Sequence, residues 1–429
     1  MIQNRDIVYL SSIEWGHKWQ AHQEIALRLA AAGNRVLYVE NTGVRTPTLR
    51  DAGRVATRLR RWSRVLRSGG VSEVSPRVYV APPLVMPPFG AAWRRWSNRM
   101  LFLPSLLRTI RRLGMRDLLL WTYLPNDTTL LLMNALRRES VASVYYCVAD
   151  FSELTPYAEK LRQSEQAVAA GSDIVFANCT ALARKLLPFN PNVYVCPVGV
   201  NLEAFPFESR ATEGTDAAAT PGEEAAASLK TLPRPLIGYI GGLHRHVDFD
   251  LLTEVALKRP NWSWVFVGPL QAPARGLAEL PNVHLLGERP HGDLASYVRQ
   301  FDVCIVPYLN NACTATVVPT KINEYLALGK PVVSTALPTV LEFNDQHQIL
   351  LVAEAGPEAF LRAVQQALEL PHDEETLLRR HRVAETADWD ARLTSMCLLI
   401  EERIRTTTTA TAGQSSAPSR SDAEVLWRR

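Results

Sequence analysis

The chain has 429 residues, 47% of them hydrophobic, with 47 basic against 43 acidic side chains and a net charge of +4. That length suits two or three domains with ordinary packed cores; it excludes a largely disordered chain and a disulfide scaffold. The near-balance conceals a division, because residues 1–116 carry 20 Lys/Arg against 6 Asp/Glu and the other 313 carry 27 against 37.

Short β-rich runs alternate with helical patterns along the whole chain. I-V-Y-L (7–10) leads into a helix over 21–32, which Gly33 ends, and V-L-Y-V (36–39) follows. Further strands are expected at 78–80, 118–121, 144–148, 174–177 and 193–196. The pattern then restarts with six more, at 235–241, 264–268, 283–287, 303–307, 331–335 and 349–352. Strands separated by helices of this length imply parallel β-α-β units with right-handed crossovers. Two doubly wound α/β domains are the expected architecture. Segment 209–230 has no apolar periodicity and reads as a flexible insertion. Residues 387–403 form a last amphipathic helix, and the Thr/Ser-rich tail from Thr406 reads as disordered. The expected division is therefore 1–205, an insertion at 206–232, 233–386, a helix at 387–405 and a tail at 406–429.

Six cysteines, Cys147, Cys179, Cys196, Cys304, Cys313 and Cys397, include no C-x-x-C pair and mostly sit in apolar runs, as small buried hydrophobes in a reducing compartment would. The N-terminus lacks the long apolar stretch of a signal peptide. No apolar segment reaches about 18 residues uninterrupted. The expected location is cytosolic.

The most informative stretch is T-A-T-V-V-P-T-K-I-N-E-Y-L-A-L-G-K-P-V-V-S-T (314–335). A loop ending at Pro319-Thr320 feeds a short helix from about Lys321 to Leu328. Its free N–H groups, from Val318 to Lys321, together with the Lys321 charge, suit an anion. Glu324, in the first turn, is either a sugar-hydroxyl acceptor or a simple capping charge.

This order of loop, Glu, small apolar helix, Gly and x-Pro-Val-Val resembles the donor-site motif of GT-B glycosyltransferases, family 4 above all, and within it the teichuronic acid type of bacterial surface-polysaccharide enzyme. P-L-I-G-Y-I-G-G-L-H-R-H (235–246), P-V-G-V-N-L-E-A-F (197–205) and D-I-V-F-A-N-C-T-A-L (173–182) agree with it. The likeness covers roughly residues 1–405. It implies a GT-B fold, two Rossmann-like domains facing a central cleft, with a nucleotide-diphosphate sugar bound by the second. Glu324 matches the glutamate that holds the donor ribose. The family's first glutamate is replaced by Thr316. Where an Arg often follows the glycine turn, the chain has Gly241-Gly242-Leu243-His244-Arg245-His246, so Arg245 is the substitute cation. After the fifth strand Asp150 matches an Asp of the family, with Ala149 where many members have His. Gly16, Trp15 and His17 fall in the first β-α loop. There Gly16 would admit the donor or acceptor to backbone N–H groups, and Trp15 and His17 are acceptor-side candidates or ordinary loop residues. Arg289 and His291 lie where the family contacts the base.

Two other readings carry less. H-R-H-V-D-F-D (244–250) contains D-x-D and two histidines, but Asp248 and Asp250 suit the first turn of a helix better than a metal clamp. No G-x-G-x-x-G follows either first strand, which argues against a dinucleotide cofactor.

Most of the N-terminal basic surplus falls in 50–67, with seven Arg and one Asp, and in 93–116, with seven Arg and no acid. Either run can be a solvated helix face. Two runs carrying tryptophans suit an anionic membrane surface, and no motif for nucleic acid accompanies them. The expected protein is a hexosyltransferase-type enzyme, retaining, without metal or other cofactor, acting on a lipid-linked or surface glycan at the inner membrane face. Asp150 would touch the transferring sugar or the acceptor, while the N–H groups near Val318 to Lys321 and Arg245 stabilise the departing diphosphate. A sugar-nucleotide epimerase of the same fold and a non-catalytic glycan-assembly protein are the competing readings.

Overall fold

A computed structural model describes the chain except residues 17–18, 41–70, 82–91, 156, 208–220, 275 and 412–429. The expected basic run at 50–67 and the candidate His17 lie outside the described residues. The chain divides into two compact units, one of Met1–Pro197 with the segment from Arg392, the other of Val198–Ala391.

The first unit holds an eight-stranded sheet. Its strands are β1 (Asp6–Leu10), β2 (Arg35–Val39), β3 (Ser72–Ser75), β4 (Val78–Ala81), β5 (Leu118–Thr122), β6 (Ser140–Cys147), β7 (Ile174–Ala177) and β8 (Val193–Val195), in the order β3-β4-β2-β1-β5-β6-β7-β8. Every pairing is parallel except β3 with β4. The central strands are buried on both faces, which is why they read as continuous apolar runs. Tyr9 pairs with Tyr38 on one side and Trp121 on the other, and their rings stack at 5.4 and 6.0 Å. Strand β3, S-E-V-S, was not expected from the sequence. It is a largely exposed edge strand without the apolar alternation that announces one.

The second unit holds a six-stranded, all-parallel sheet of β9 (Leu236–Ile240), β10 (Ser263–Val267), β11 (Val283–Gly287), β12 (Val303–Val306), β13 (Val332–Thr335) and β14 (Leu351–Ala353), in the order β11-β10-β9-β12-β13-β14. Gly238 lets the chain after the helix Leu294–Gln300 close on β9, since a Cβ there would fall 2.0 Å from the Phe301 ring.

Three expected boundaries move. Residues 198–205 belong to the second unit rather than the first. Val200 donates to Ala387 and accepts from Trp389, and Phe205 is buried in the second core. The final helix, Trp389–Thr411, joins the first unit from Arg392, whose guanidinium donates to the Pro197 carbonyl. It also runs past Thr406, where disorder was expected. The supposed flexible insertion is ordered in its second half. Pro221–Ala227 is a helix followed by a 3-10 turn at Ser228–Thr231, with Ala226 and Leu229 buried. The small residues that looked like low complexity permit this close packing: a Cβ on Gly222 would lie 3.0 Å from the Asp293 side chain.

Candidate functional site

In an open parallel sheet, ligands bind outside the carboxyl ends of the strands where the strand order reverses. In the second unit that point lies between β9 and β12. The chain leaves β9 through Gly241, at φ 113°, and Gly242. It leaves β12 toward Tyr308, and the helix Lys321–Ala327 starts beside both exits. A Cβ on Gly241 would meet Lys321 Cε at 3.3 Å and Nζ at 3.6 Å, so glycine lets the lysine lie against the turn. Gly241 is itself approached by Gly268, where a Cβ would fall 2.0 Å from the Gly241 oxygen.

Lys321 is 8% exposed. Its ammonium donates to the Tyr308 hydroxyl and sits 4.8 Å from the Tyr308 ring centroid and 4.9 Å from that of Tyr239. The Tyr239 hydroxyl in turn donates to the Gly242 carbonyl at 3.0 Å. Among the described residues no carboxylate forms an ion pair with Lys321. Burying an ammonium is costly without a counter-ion, and the two tyrosine faces offset only part of that. The arrangement is suited to receiving an anion.

Glu324, one turn along, is partly buried. Burial raises its carboxyl pKa, against the opposing pull of His291 and Lys321. Gly241 is thus brought to the helix that carries Lys321 and Glu324, and the His291 charge acts on Glu324. The His291 ring also stands edge-on to Phe205 at 5.6 Å. In the loop, the N–H groups of Val318 and Thr320 have no acceptor among the described residues. Ile322 and Asn323 instead turn theirs back onto Pro319 and Thr320 at 3.1 Å.

Arg245 is exposed on the turn after β9. Its neighbour His244 packs 5.4 Å from the Tyr308 ring. Burial, then the charges of Lys321, His246 and Arg245, lowers its pKa to about 4, so it is neutral at pH 7. Tyr239, Tyr308 and Gly268 escaped the sequence reading, which met His244 only within the glycine turn and the D-x-D segment. The only signal was their place at strand ends, in Y-I-G-G, V-P-Y and V-F-V-G. Arg289 is exposed with its guanidinium 5.9 Å from the Tyr297 ring centroid. Asp248 caps the helix Phe249–Lys258 by accepting from Leu251 N–H at 2.9 Å, and Asp250 lies exposed in its first turn. No group of three His, Cys, Asp or Glu suited to an ion occurs among the described residues.

In the first unit the strand order reverses between β1 and β5. Trp15 packs beside it at the end of β2, edge-on to Tyr38 at 5.0 Å, its backbone N–H donating to the Glu40 carboxylate at 3.0 Å. Gly16 has a clear surround, with nothing within 4 Å of a built Cβ, so no close approach within the unit requires glycine there. Asp150, expected at the transferring sugar, is engaged locally. It caps the 3-10 turn Phe151–Leu154, accepting from Ser152 N–H at 3.1 Å and Oγ at 2.6 Å, and pairs with Lys185 at 3.0 Å. Burial pushes its pKa up, but Ser152 and Lys185 outweigh that and the net shift is downward.

Two doubly wound sheets in one chain are the architecture of the GT-B fold. Residues 234–370 match the family described as Glycosyl transferases group 1. The chain is 32% identical over 159 residues to TuaH of Bacillus subtilis (strain 168), a protein assigned as a teichuronic acid biosynthesis glycosyltransferase; the match covers 36% of this chain and 40% of that protein. Among solved structures it is similar to the sucrose-phosphate synthase of Thermosynechococcus elongatus, with TM-score 0.67, 18% identity, and 94% of this chain and 100% of that one covered. HepE of Anabaena, solved with UDP and glucose, superposes with TM-score 0.62 at 13% identity over 93% of this chain and 100% of its own. These likenesses give the chain the GT-B fold, and the family match lies within its second unit.

Proposed function

We propose that the chain is a glycosyltransferase that moves a sugar from a nucleotide-diphosphate donor to a lipid-linked or surface-polysaccharide acceptor at the inner membrane face. The observation that carries this reading is the Lys321 ammonium, buried without a carboxylate partner, three residues before the partly buried Glu324. A diphosphate is the anion that fits. In transfer, the bond between the anomeric carbon and the diphosphate oxygen breaks, its electron pair stays on that oxygen, an acceptor hydroxyl oxygen takes its place on carbon, and the hydroxyl proton passes to the departing diphosphate. Negative charge grows at the phosphate next to Lys321. A donor already aimed at developing charge is worth about 3 kcal/mol of barrier. Lys321, with Arg245 on the neighbouring turn, supplies the positive charge that a divalent cation provides in other sites, so we infer a reaction that runs in EDTA. Glu324 accepts from the donor's sugar hydroxyls, and the anomeric configuration is retained. The likeness to HepE makes UDP-sugars the first donors to try.

A thermal-shift panel of UDP-, GDP-, ADP- and dTDP-sugars tests the donor. The expected result is stabilisation by one base class that Glu324→Ala reduces by 10-fold or more in apparent affinity, as loss of a charged hydrogen bond does. Silence across the panel would instead favour a non-catalytic assembly role. With a responding donor, release of free nucleotide that depends on an acceptor extract identifies a transferase, whereas interconversion of the sugar without acceptor identifies an epimerase. Product anomer analysis checks retention.

A further inference from the structure

The expected basic run at 93–116 is described over most of its length, and its shape is informative. Helix Ala92–Ser97, a π-helical turn Asn98–Phe102 and helix Leu103–Arg112 follow one another without a break. One side enters the core of the first unit, where Asn98, Phe102, Leu106 and Ile110 are buried. On the other side Trp93 is 56% exposed, Trp96 64%, Met100 52% and Leu101 61%. Exposed large apolar side chains elsewhere among the described residues fall singly or in pairs, which is ordinary. Here four fall within nine residues. The wide winding of the π turn contributes, since Arg99, Met100 and Leu101 are exposed in succession.

The charge of this segment has one sign. Residues 92–116 contain seven arginines and no acid. Arg99, Arg108 and Arg111 are exposed and pair with no carboxylate among the described residues. An acidic protein surface or a nucleic acid would satisfy the arginines, and a base would stack on a tryptophan. Neither accounts for Met100 and Leu101, which need an apolar phase. Tryptophan beside arginine is the pairing favoured at the headgroup level of a bilayer, where one end of the ring is wet and the other apolar. No helix among the described residues is long and apolar enough to cross a membrane, so the geometry is that of a segment lying in the surface plane.

We propose that this segment is a docking surface for an anionic bilayer, with Trp93, Trp96, Met100 and Leu101 entering the boundary between headgroups and acyl chains while Arg99, Arg108 and Arg111 bind lipid phosphates. The proposal does not depend on the donor-site reading, because no residue of either strand-end cluster takes part and no nucleotide is needed to observe it.

The test is cosedimentation of the full chain, without nucleotide, on vesicles of phosphatidylcholine alone or mixed with phosphatidylglycerol. Binding is expected on the mixture, weak or nil on phosphatidylcholine, and reduced by salt. The triple variant R99Q/R108Q/R111Q should lower partition about 100-fold, from about 5-fold per arginine near the surface. W96S/M100S/L101S should lower it at least 10-fold even at low salt. These side chains are exposed, so both variants should melt as the parent does, and a melting scan verifies it. Wild-type protein that ignores the anionic vesicles, or variants that bind them unchanged, would overturn the proposal. So would binding that a single-stranded oligonucleotide abolishes and lipid does not replace.

Discussion

The two units place different chemistry at equivalent points of their sheets. Beyond β1 and β5 the first unit packs neutral groups against one another. The Tyr9 and Tyr123 hydroxyls meet at 2.6 Å, Ser11 meets Tyr38 at 2.6 Å, and the His22 ring lies 3.9 Å from that of Tyr123 with Nε2 on Ser12 at 2.8 Å. Beyond β9 and β12 the second unit uses tyrosines again, Tyr239 and Tyr308, but sets an ammonium between them. One cluster pairs hydroxyls with one another and with a neutral imidazole. The other holds a charge that the fold does not neutralise, so it costs stability until an anion arrives. The proposed diphosphate site in the second unit therefore rests on a single buried residue, Lys321.

The largest effect expected on donor binding breaks this contrast directly. Lys321→Met keeps the bulk and removes the charge. Nucleotide-sugar affinity should fall at least 30-fold, about 2 kcal/mol or more for a buried charge contact, while the second unit unfolds at the same temperature or higher. Calorimetry with the responding donor and a melting scan would measure both; loss of stability with affinity intact would mean that the ammonium is structural.

Gly268→Ala should cost about 3 kcal/mol of second-unit stability, because its Cβ would press into the Gly241 backbone rather than a movable side chain. Donor binding should weaken alongside, which denaturant titration with and without donor can report.

Acid sharpens the comparison further. Burial lowers the His22 pKa to about 3, and burial with the Lys321 charge lowers that of His244 to about 4, from an ordinary 6.5. Each is neutral when folded and protonated more readily when unfolded. Stability is thus fully present above about pH 6.5 and declines as pH falls toward those folded values, by at most about 1.4 kcal/mol per pH unit for each group. His22→Gln should flatten the slope of the first unit only. In the second, pyrophosphate should raise the His244 pKa by neutralising Lys321, visible as proton uptake on binding near pH 5. The smallest effect is expected at Gly16→Ala, within about 0.5 kcal/mol of wild type, since nothing lies within 4 Å of the added carbon. A large loss of activity without loss of stability there would place a substrate against that loop.

The strands of both sheets were legible because buried parallel strands are written as unbroken apolar runs, and β3 was not because an exposed edge needs none. Lys321 and Glu324 were legible because loop, helix and glycine stop are local in sequence. The alanine-rich stretch at 221–227 misled for the opposite reason, as small residues look featureless until a partner helix is packed against them. Asp150 has a local role that the sequence did not announce, because a carboxylate after a strand can cap the next turn and pair with Lys185.

The amino-acid order alone determined the repeated β-α rhythm, the division of charge along the chain and the local motif around Lys321, since each depends on neighbours a few residues apart. Only the tertiary structure decided that Lys321 is buried between Tyr239 and Tyr308, that Gly268 makes room for Gly241, and that residues 198–205 and the final helix exchange units. Those outcomes depend on which strand ends lie side by side and on what burial does to a charge, and neither is written in any single stretch of sequence.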